Sequence, residues 1–191
     1  MVIKTVYQTL QNRDDDLDKL ESNGPYECNW NNSWLGDGYY FWDTFIENAH
    51  WWGKEIRKYD NGYIICKGIC DYNEIECCDL AGNTEHLQMF SDTYEFLKTK
   101  GLANKDTKVK RLIHYLKDDI KTFNFQAIRA YGIRSKNFNS RFSFNLFFES
   151  NSNAYLDFKP AIQICFYSKS SLNLRNYKIV FPDEYIDGYL V

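Results

Sequence analysis

The stretch Trp34-Leu35-Gly36-Asp37-Gly38-Tyr39-Tyr40-Phe41-Trp42, followed by Ala49-His50-Trp51-Trp52, is the most informative part of this 191-residue chain. Two glycines separated by one residue predict a tight turn. The aromatic run from Tyr39 to Trp42 predicts a short strand. Ile46, Ala49, Trp52 and Ile56 then recur at helical spacing. Asp43 and Thr44 are candidate caps, and Glu47 early and Lys54 late suit the helix dipole. A turn, a strand and a helix that together concentrate so many flat side chains predict an aromatic-lined ligand pocket. The competing reading is that the same rings pack a core.

Working outward, Val2 to Thr9 alternates apolar and polar residues over a β-branched run and reads as a first strand. Asp14 to Leu20 reads as a short helix stopped by Gly24-Pro25. Downstream, Gly62 to Cys70 and Ile75 to Leu80 are apolar and β-rich. Thr84 to Lys98 and Val109 to Leu116 show helical spacing around a polar linker. Ala127 to Ile133, Phe142 to Phe148 and Ala161 to Tyr167 read as strands of a returning sheet, with Tyr177 to Phe181 as a further candidate. No repeat or composition break divides the chain, so one α+β domain over residues 1–191 is expected, with residues 84–121 as a helical insertion.

Composition bounds the function. Aromatics are 18% and charged residues 26% of the chain, which argues against disorder. With 23 basic and 26 acidic residues the formal charge is -3, so no overall field draws the protein to nucleic acid or to an anionic membrane. The N-terminus is too poor in consecutive apolar residues for a signal-peptide core, and no run approaches a membrane span. A cytoplasmic protein is expected. Cys28, Cys66, Cys70, Cys77, Cys78 and Cys165 lie mostly in apolar, strand-like surroundings and are expected to be reduced thiols acting as small hydrophobes.

Four of these thiols, Cys66, Cys70, Cys77 and Cys78, are enough in number for a tetrahedral zinc site. Adjacent strand residues point to opposite faces, however, so Cys77 and Cys78 can hardly share an ion and no metal is expected. His50, His86 and His114 fall on helix-like segments without ligand or nucleophile spacing. There is no phosphate loop and no Gly-x-Gly-x-x-Gly. Lys105, Lys108, Lys110 and Arg111 form a basic cluster, either a site for nucleic acid or an acidic partner, or a solvated helix face.

A glycine turn, a strand ending Gly-x-Tyr-Phe, and Ala-x-aromatic eight residues after that Phe resemble the nicotinamide-binding segment of ADP-ribosyltransferases of the poly(ADP-ribose) polymerase type, above all their small bacterial relatives. The resemblance covers the first 55 residues and the strand around Gln163. It implies a split antiparallel β-sheet with flanking helices, holding NAD in a cleft. Tyr40, just after the turn at Gly38, and Trp51 would sandwich the nicotinamide ring. Gln8 stands where the family has a ribose-binding histidine, and Thr9 stands where it has a glycine whose backbone meets the nicotinamide amide. Ala161-Ile162-Gln163-Ile164-Cys165-Phe166 resembles the strand of the family's catalytic Glu, which places Gln163 at the reacting ribose. There it would stabilise the charge that develops as nicotinamide leaves. The alternative for Gln163 is a polar residue on an exposed strand face. Arg129 and Arg134 are candidates for the NAD pyrophosphate or are solvated surface residues.

The implied activity is NAD-dependent transfer of ADP-ribose to a protein or nucleic-acid acceptor, or NAD hydrolysis, in a toxin or defence effector. The rival is a catalytically inactive nucleotide- or protein-binding module of the same fold, favoured by the departures at Gln8, Thr9 and Gln163.

Overall fold

A computed structural model describes residues 1–13, 16–29, 33–131, 145–149 and 154–186. The alternating N-terminal segment is β1 (Val2–Gln11) and the aromatic run is β2 (Tyr39–Asp43). The remaining strands are β3 (Tyr63–Tyr72), β4 (Cys77–Asp79), β5 (Ala127–Tyr131), β6 (Asn145–Phe147), β7 (Tyr155–Asp157), β8 (Ile162–Phe166) and β9 (Arg175–Phe181). Among the described residues four α-helices accompany them: α1 (Leu17–Asn23), α2 (Ile46–Trp51), α3 (Thr84–Thr99) and α4 (Val109–His114). The fold is thus mixed α+β.

Seven strands form one sheet in the order β4-β5-β8-β2-β1-β3-β9. β4 runs parallel to β5 and every other neighbouring pair is antiparallel, so the sheet is mixed where a wholly antiparallel one was expected. Among the described residues β6 and β7 pair only with each other, so the segment around Phe147 does not join the returning sheet. Of the predicted strand from Phe142, residues 142–144 lie outside the described residues.

β1 pairs with β3 along all ten of its residues but with β2 only through Val6 to Asp43 and Tyr7 to Trp42. Beyond Tyr7 the two strands part. The segment Tyr26 to Cys28 fills the opening, with Cys28 bridged to Gly38 and Tyr26 hydrogen-bonded to the Gln8 side chain. β1 and β2 thus diverge within one continuous sheet, leaving a local split between their far ends.

Alternation along the strands sorts the core into two faces. Val6, Phe41, Cys77, Ala127, Ile164 and Phe166 pack together on one face. Cys78, Ile128, Ala130 and Cys165 lie on the other, beneath α3 and α4. Cys77 and Cys78 thus belong to different cores, as adjacent strand residues must. The segment expected as a helical insertion is integral to this packing. Phe90 and Leu97 of α3, and Leu112, Ile113 and Leu116 of α4 and the π-helical turn Tyr115–Asp119 after it, are all buried against those strands. Full burial of each such side chain contributes about 1.5–3 kcal/mol, so the sheet face would not stay dry without them.

The helix ends show where local reading is overridden. Asn83 caps α3 by accepting from the N–H groups of Glu85 and His86, as Asn does well. The expected Asp43 or Thr44 cap of α2 is not used. Phe45 is the N-cap, with no side-chain bond, because the Asp43 carboxylate is engaged by Lys4 and Arg129. The first helix runs three residues later than its predicted start, capped by Asp16, which accepts from Lys19 N–H. Among the described residues no helix is long and apolar enough to cross a membrane.

Candidate functional site

A cavity of about 400 Å³ opens at the split, within the usual range for small-molecule sites. Trp34, Tyr40, Trp42 and Trp52 give it aromatic walls, Thr9 and Gln163 place polar atoms in it, and Arg13 and Arg57 also line it. Directly opposed antiparallel residues share a face. Tyr7 opposes Trp42 and Trp42 opposes Gln163, so Thr9 and Tyr40, two residues along their strands, also point to that face. Thr9, Tyr40 and Gln163, from three strands, are brought together.

Tyr40 comes with its hydroxyl already occupied. It accepts from Leu35 N–H at 2.8 Å and donates to the Gly36 carbonyl at 2.7 Å, which clamps the glycine turn to the strand that follows. Burial, reinforced by neighbouring Cys165, pushes its pKa far above the usual 10.0, so the phenol is neutral and what it offers a ligand is ring surface. Tyr167 adds a hydrogen bond to the Leu35 carbonyl, and Lys110 of α4 reaches both Ser33 and Asp37. The loop of Ser33 to Asp37 is thus tied on three sides. Gly36 permits the turn, with φ of +94°, while a Cβ on Gly38 would come within 2.5 Å of the Phe166 carbonyl oxygen. Gly38 itself is not among the residues lining the cavity.

Gln163 is only 6% exposed. Its Oε1 accepts from Trp34 Nε1 at 3.0 Å. Thr9 Oγ1 donates to the Ala49 carbonyl at 3.0 Å, which leaves its lone pairs to the cavity. Gln8 differs from both. One residue out of phase with Tyr7 and Thr9, its side chain leaves β1 toward the opposite face and is fully used in the seam. Oε1 accepts from Tyr26 N–H at 3.0 Å and the Tyr177 hydroxyl at 2.7 Å, and Nε2 donates to the Tyr26 carbonyl at 2.7 Å and, at 3.5 Å, to that of Tyr40. It borders the cavity as the latch of the split, with no atom to spare for a ribose.

Trp51 also departs from expectation. It packs edge-on against Trp42 at 6.1 Å and is not among the lining residues, whereas Trp52 is. Adjacent residues of a helix point in different directions, so Trp52, where a π-helical turn over Trp52–Arg57 begins, can face the cleft while Trp51 does not. Arg129 lies on the far side of the sheet from Gln163, bound to Asp43 and Asp79, and is no pyrophosphate ligand there. Arg134 lies outside the described residues. Within the basic cluster, Lys110 pairs with Asp37 and Arg111 with Asp119.

All six cysteines are free. Burial pushes the Cys66, Cys70 and Cys78 thiols up to about 12, so they are protonated hydrophobes and not nucleophiles. Among the described residues no group of three or more His, Cys, Asp or Glu is placed to hold a metal ion.

Trp34, Trp42 and Trp52 line the cavity but had no individual role in the sequence reading, which took the stretch from Trp34 to Trp52 as a pocket without sorting its rings. All three stood in the quoted stretches, yet no spacing rule distinguishes a wall of a cleft from a core ring. Comparison of the chain with family models, with curated proteins and with solved structures finds no match.

Proposed function

We propose that this chain is an ADP-ribosyltransferase-like domain that takes NAD into the split of the sheet, with the nicotinamide ring against Tyr40 and the adjoining ribose toward Gln163. The observation that carries the reading is the convergence of Thr9, Tyr40 and Gln163 on one aromatic cavity, although they lie on β1, β2 and β8. In the reaction the bond between nicotinamide and ribose breaks, nicotinamide leaves with the bonding pair, and a nucleophile of a protein or nucleic-acid acceptor, or water, bonds to the anomeric carbon and releases its proton to solvent. Tyr40 and the tryptophans stack on the ring and exclude water, worth about 0.5–1.5 kcal/mol per aromatic pair beyond area burial. A role as toxin or defence effector fits such chemistry.

The second reading, a nucleotide-binding module without turnover, is favoured by the state of Gln163. With Oε1 held by Trp34, it turns the positive end of its amide dipole to the cavity, which does little for a developing cation. Calorimetry with NAD and mass-spectrometric detection of nicotinamide test both. We expect weak NAD binding, reduced up to about tenfold in Tyr40→Ala, and slow nicotinamide release that rises in Gln163→Glu. A folded protein that binds no NAD at millimolar concentration overturns the proposal. Binding without release, in the wild type and in Gln163→Glu, selects the second reading.

A further inference from the structure

Charge is unevenly spread along this chain. Residues 98–121, from the end of α3 to just past the turn after α4, hold eight lysines and arginines against three acids, while the rest of the chain holds 15 against 23. The formal charge of -3 thus conceals one basic layer. Part of it is consumed within the fold, since Lys98, Lys110 and Arg111 meet Glu95, Asp37 and Asp119. Lys105 and Lys108, in the linker before α4, are exposed, and their side chains make no hydrogen bond or ion pair among the described residues.

Flat rings are interleaved with the cations. Phe96 of α3 stands 47% exposed although Phe90 and Leu97 already supply the buried stripe of that helix. Its ring centroid lies 6.1 Å from that of Tyr115, and Lys100 Nζ lies 5.7 Å from the Phe96 centroid. Arg111 and Tyr115, four residues apart, share a face of α4, and Lys108 precedes that face by about one turn. Lysines alone would suit any polyanion, but the rings narrow the choice. A duplex keeps its base faces stacked, and an acidic peptide or an anionic bilayer has none, whereas an unpaired base stacks on an aromatic side chain.

We propose that the α3–α4 layer docks a single-stranded nucleic acid, with phosphates on Lys105 and Lys108 and an unpaired base against the Phe96–Tyr115 pair. The inference goes beyond the reading of the cavity and does not need NAD to be its ligand. Where both hold, nucleic acid is the acceptor, and α4 joins the two sites because Lys110 ties the loop that carries Trp34 of the cavity wall.

Fluorescence anisotropy of a labelled oligothymidylate of about sixteen nucleotides, without NAD, tests this. The wild type should bind it at about 0.1 mM protein or below, more weakly as salt rises. Lys105→Glu/Lys108→Glu should bind about tenfold more weakly or worse, and should reduce the slope of log affinity against log salt by about 1.4, the share of two phosphates. Lys19→Glu/Lys54→Glu, an equal change of net charge at exposed lysines outside the layer, should keep the wild-type slope. Phe96→Leu should weaken the single strand about fivefold or more at constant salt slope and leave a duplex of the same length unaffected, which a merely structural role of the ring would not do. Circular dichroism reports whether each variant is folded; if Phe96→Leu is not, the two lysine pairs decide. No binding by the wild type, equal losses in the two lysine pairs, or unaltered single-strand affinity in folded Phe96→Leu overturns the inference. Tighter binding of polyglutamate or of phosphatidylserine vesicles than of the oligonucleotide overturns it too. NAD calorimetry on the same proteins separates the two proposals. An oligonucleotide bound by a protein that takes no NAD removes only the NAD reading, and NAD bound without the oligonucleotide removes only this one.

Discussion

On one face of the central strands stand Trp42, Ala130 and Gln163; one residue along, on the other face, stand Asp43, Arg129 and Ile164. The second face is chemically closed. Arg129 Nε donates to Asp43 at 2.7 Å and its Nη1 donates to both oxygens of Asp79 at 2.9 Å. Lys4 completes Asp43 at 3.1 Å, and the Tyr72 hydroxyl and the Ala81 and Gly82 N–H groups complete Asp79. Two cations meet two carboxylates that are 3% and 4% exposed. The first face is left open, with a cavity, aromatic walls and the amide of Gln163 at its lining. Charge buried with full compensation serves cohesion of the sheet, whereas the cavity face leaves room for a ligand beside neutral polar groups.

The contrast can be broken most sharply at Arg129. Arg129→Met keeps the bulk but leaves two buried carboxylates without their shared cation, and should cost about 3–5 kcal/mol by urea denaturation. The same network governs the acid limb. Burial alone would raise the Asp79 carboxyl, but the Tyr72 hydroxyl, the Arg129 charge and the Ala81 N–H together hold it below its ordinary 3.8. Its folded-state pKa is thus depressed, so its contribution to stability is present above pH 3.8 and is lost as the pH falls below that value. Acid titration of the wild type should show this loss, and Arg129→Met should flatten it. An unchanged acid profile in that variant would show that Arg129 does not hold Asp79.

On the open face the expected effects are smaller. Tyr40→Phe removes the acceptor of the buried Leu35 N–H and should cost about 1–3 kcal/mol. It should also speed hydrogen exchange at Leu35 while leaving exchange in β3 untouched. Equal exchange at Leu35 in both proteins would show that the turn is held without the phenol. Lys110→Ala, at the exposed pair with Asp37, should cost less than about 1 kcal/mol, and less still in high salt. Its signature is a faster-exchanging loop at Ser33 to Asp37 at nearly constant global stability. A cost as large as that of Tyr40→Phe would mean that α4, and not the phenol, is the main support of the loop.

Much of the fold was legible because its signals are local. The alternation of Val2 to Thr9 marks β1, the spacing of Phe90, Thr93 and Leu97 marks the buried stripe of α3, and the adjacency of Cys77 and Cys78 alone dictates that they face opposite cores. The β-rich stretch Ile75 to Leu80 does hold β4, but its direction was not legible, because three residues carry almost no periodicity and their parallel partner lies some fifty positions away, Cys77 opposite Ala127.

The sequence by itself determined that aromatic, glycine-turn and amide residues would be available, and on which residues; Tyr40 and Gln163 were singled out from it and do meet in one cavity. Only the tertiary structure decided which of them are free to act. Gln8 and Thr9 are neighbours on one strand, yet the pairing of Tyr7 with Trp42 turns Thr9 to the cavity and Gln8 into the seam. Trp51 and Trp52 are neighbours and both pack against the cluster around Trp42, yet Trp52 also lines the cavity and Trp51 does not. Arg129 and Ala130 are neighbours too, and strand register alone spends the arginine on Asp43 and Asp79. In each case the side chain's chemistry is a property of the residue, while its direction is set by a partner strand or helical winding outside the local sequence, and a shift of one position reverses it.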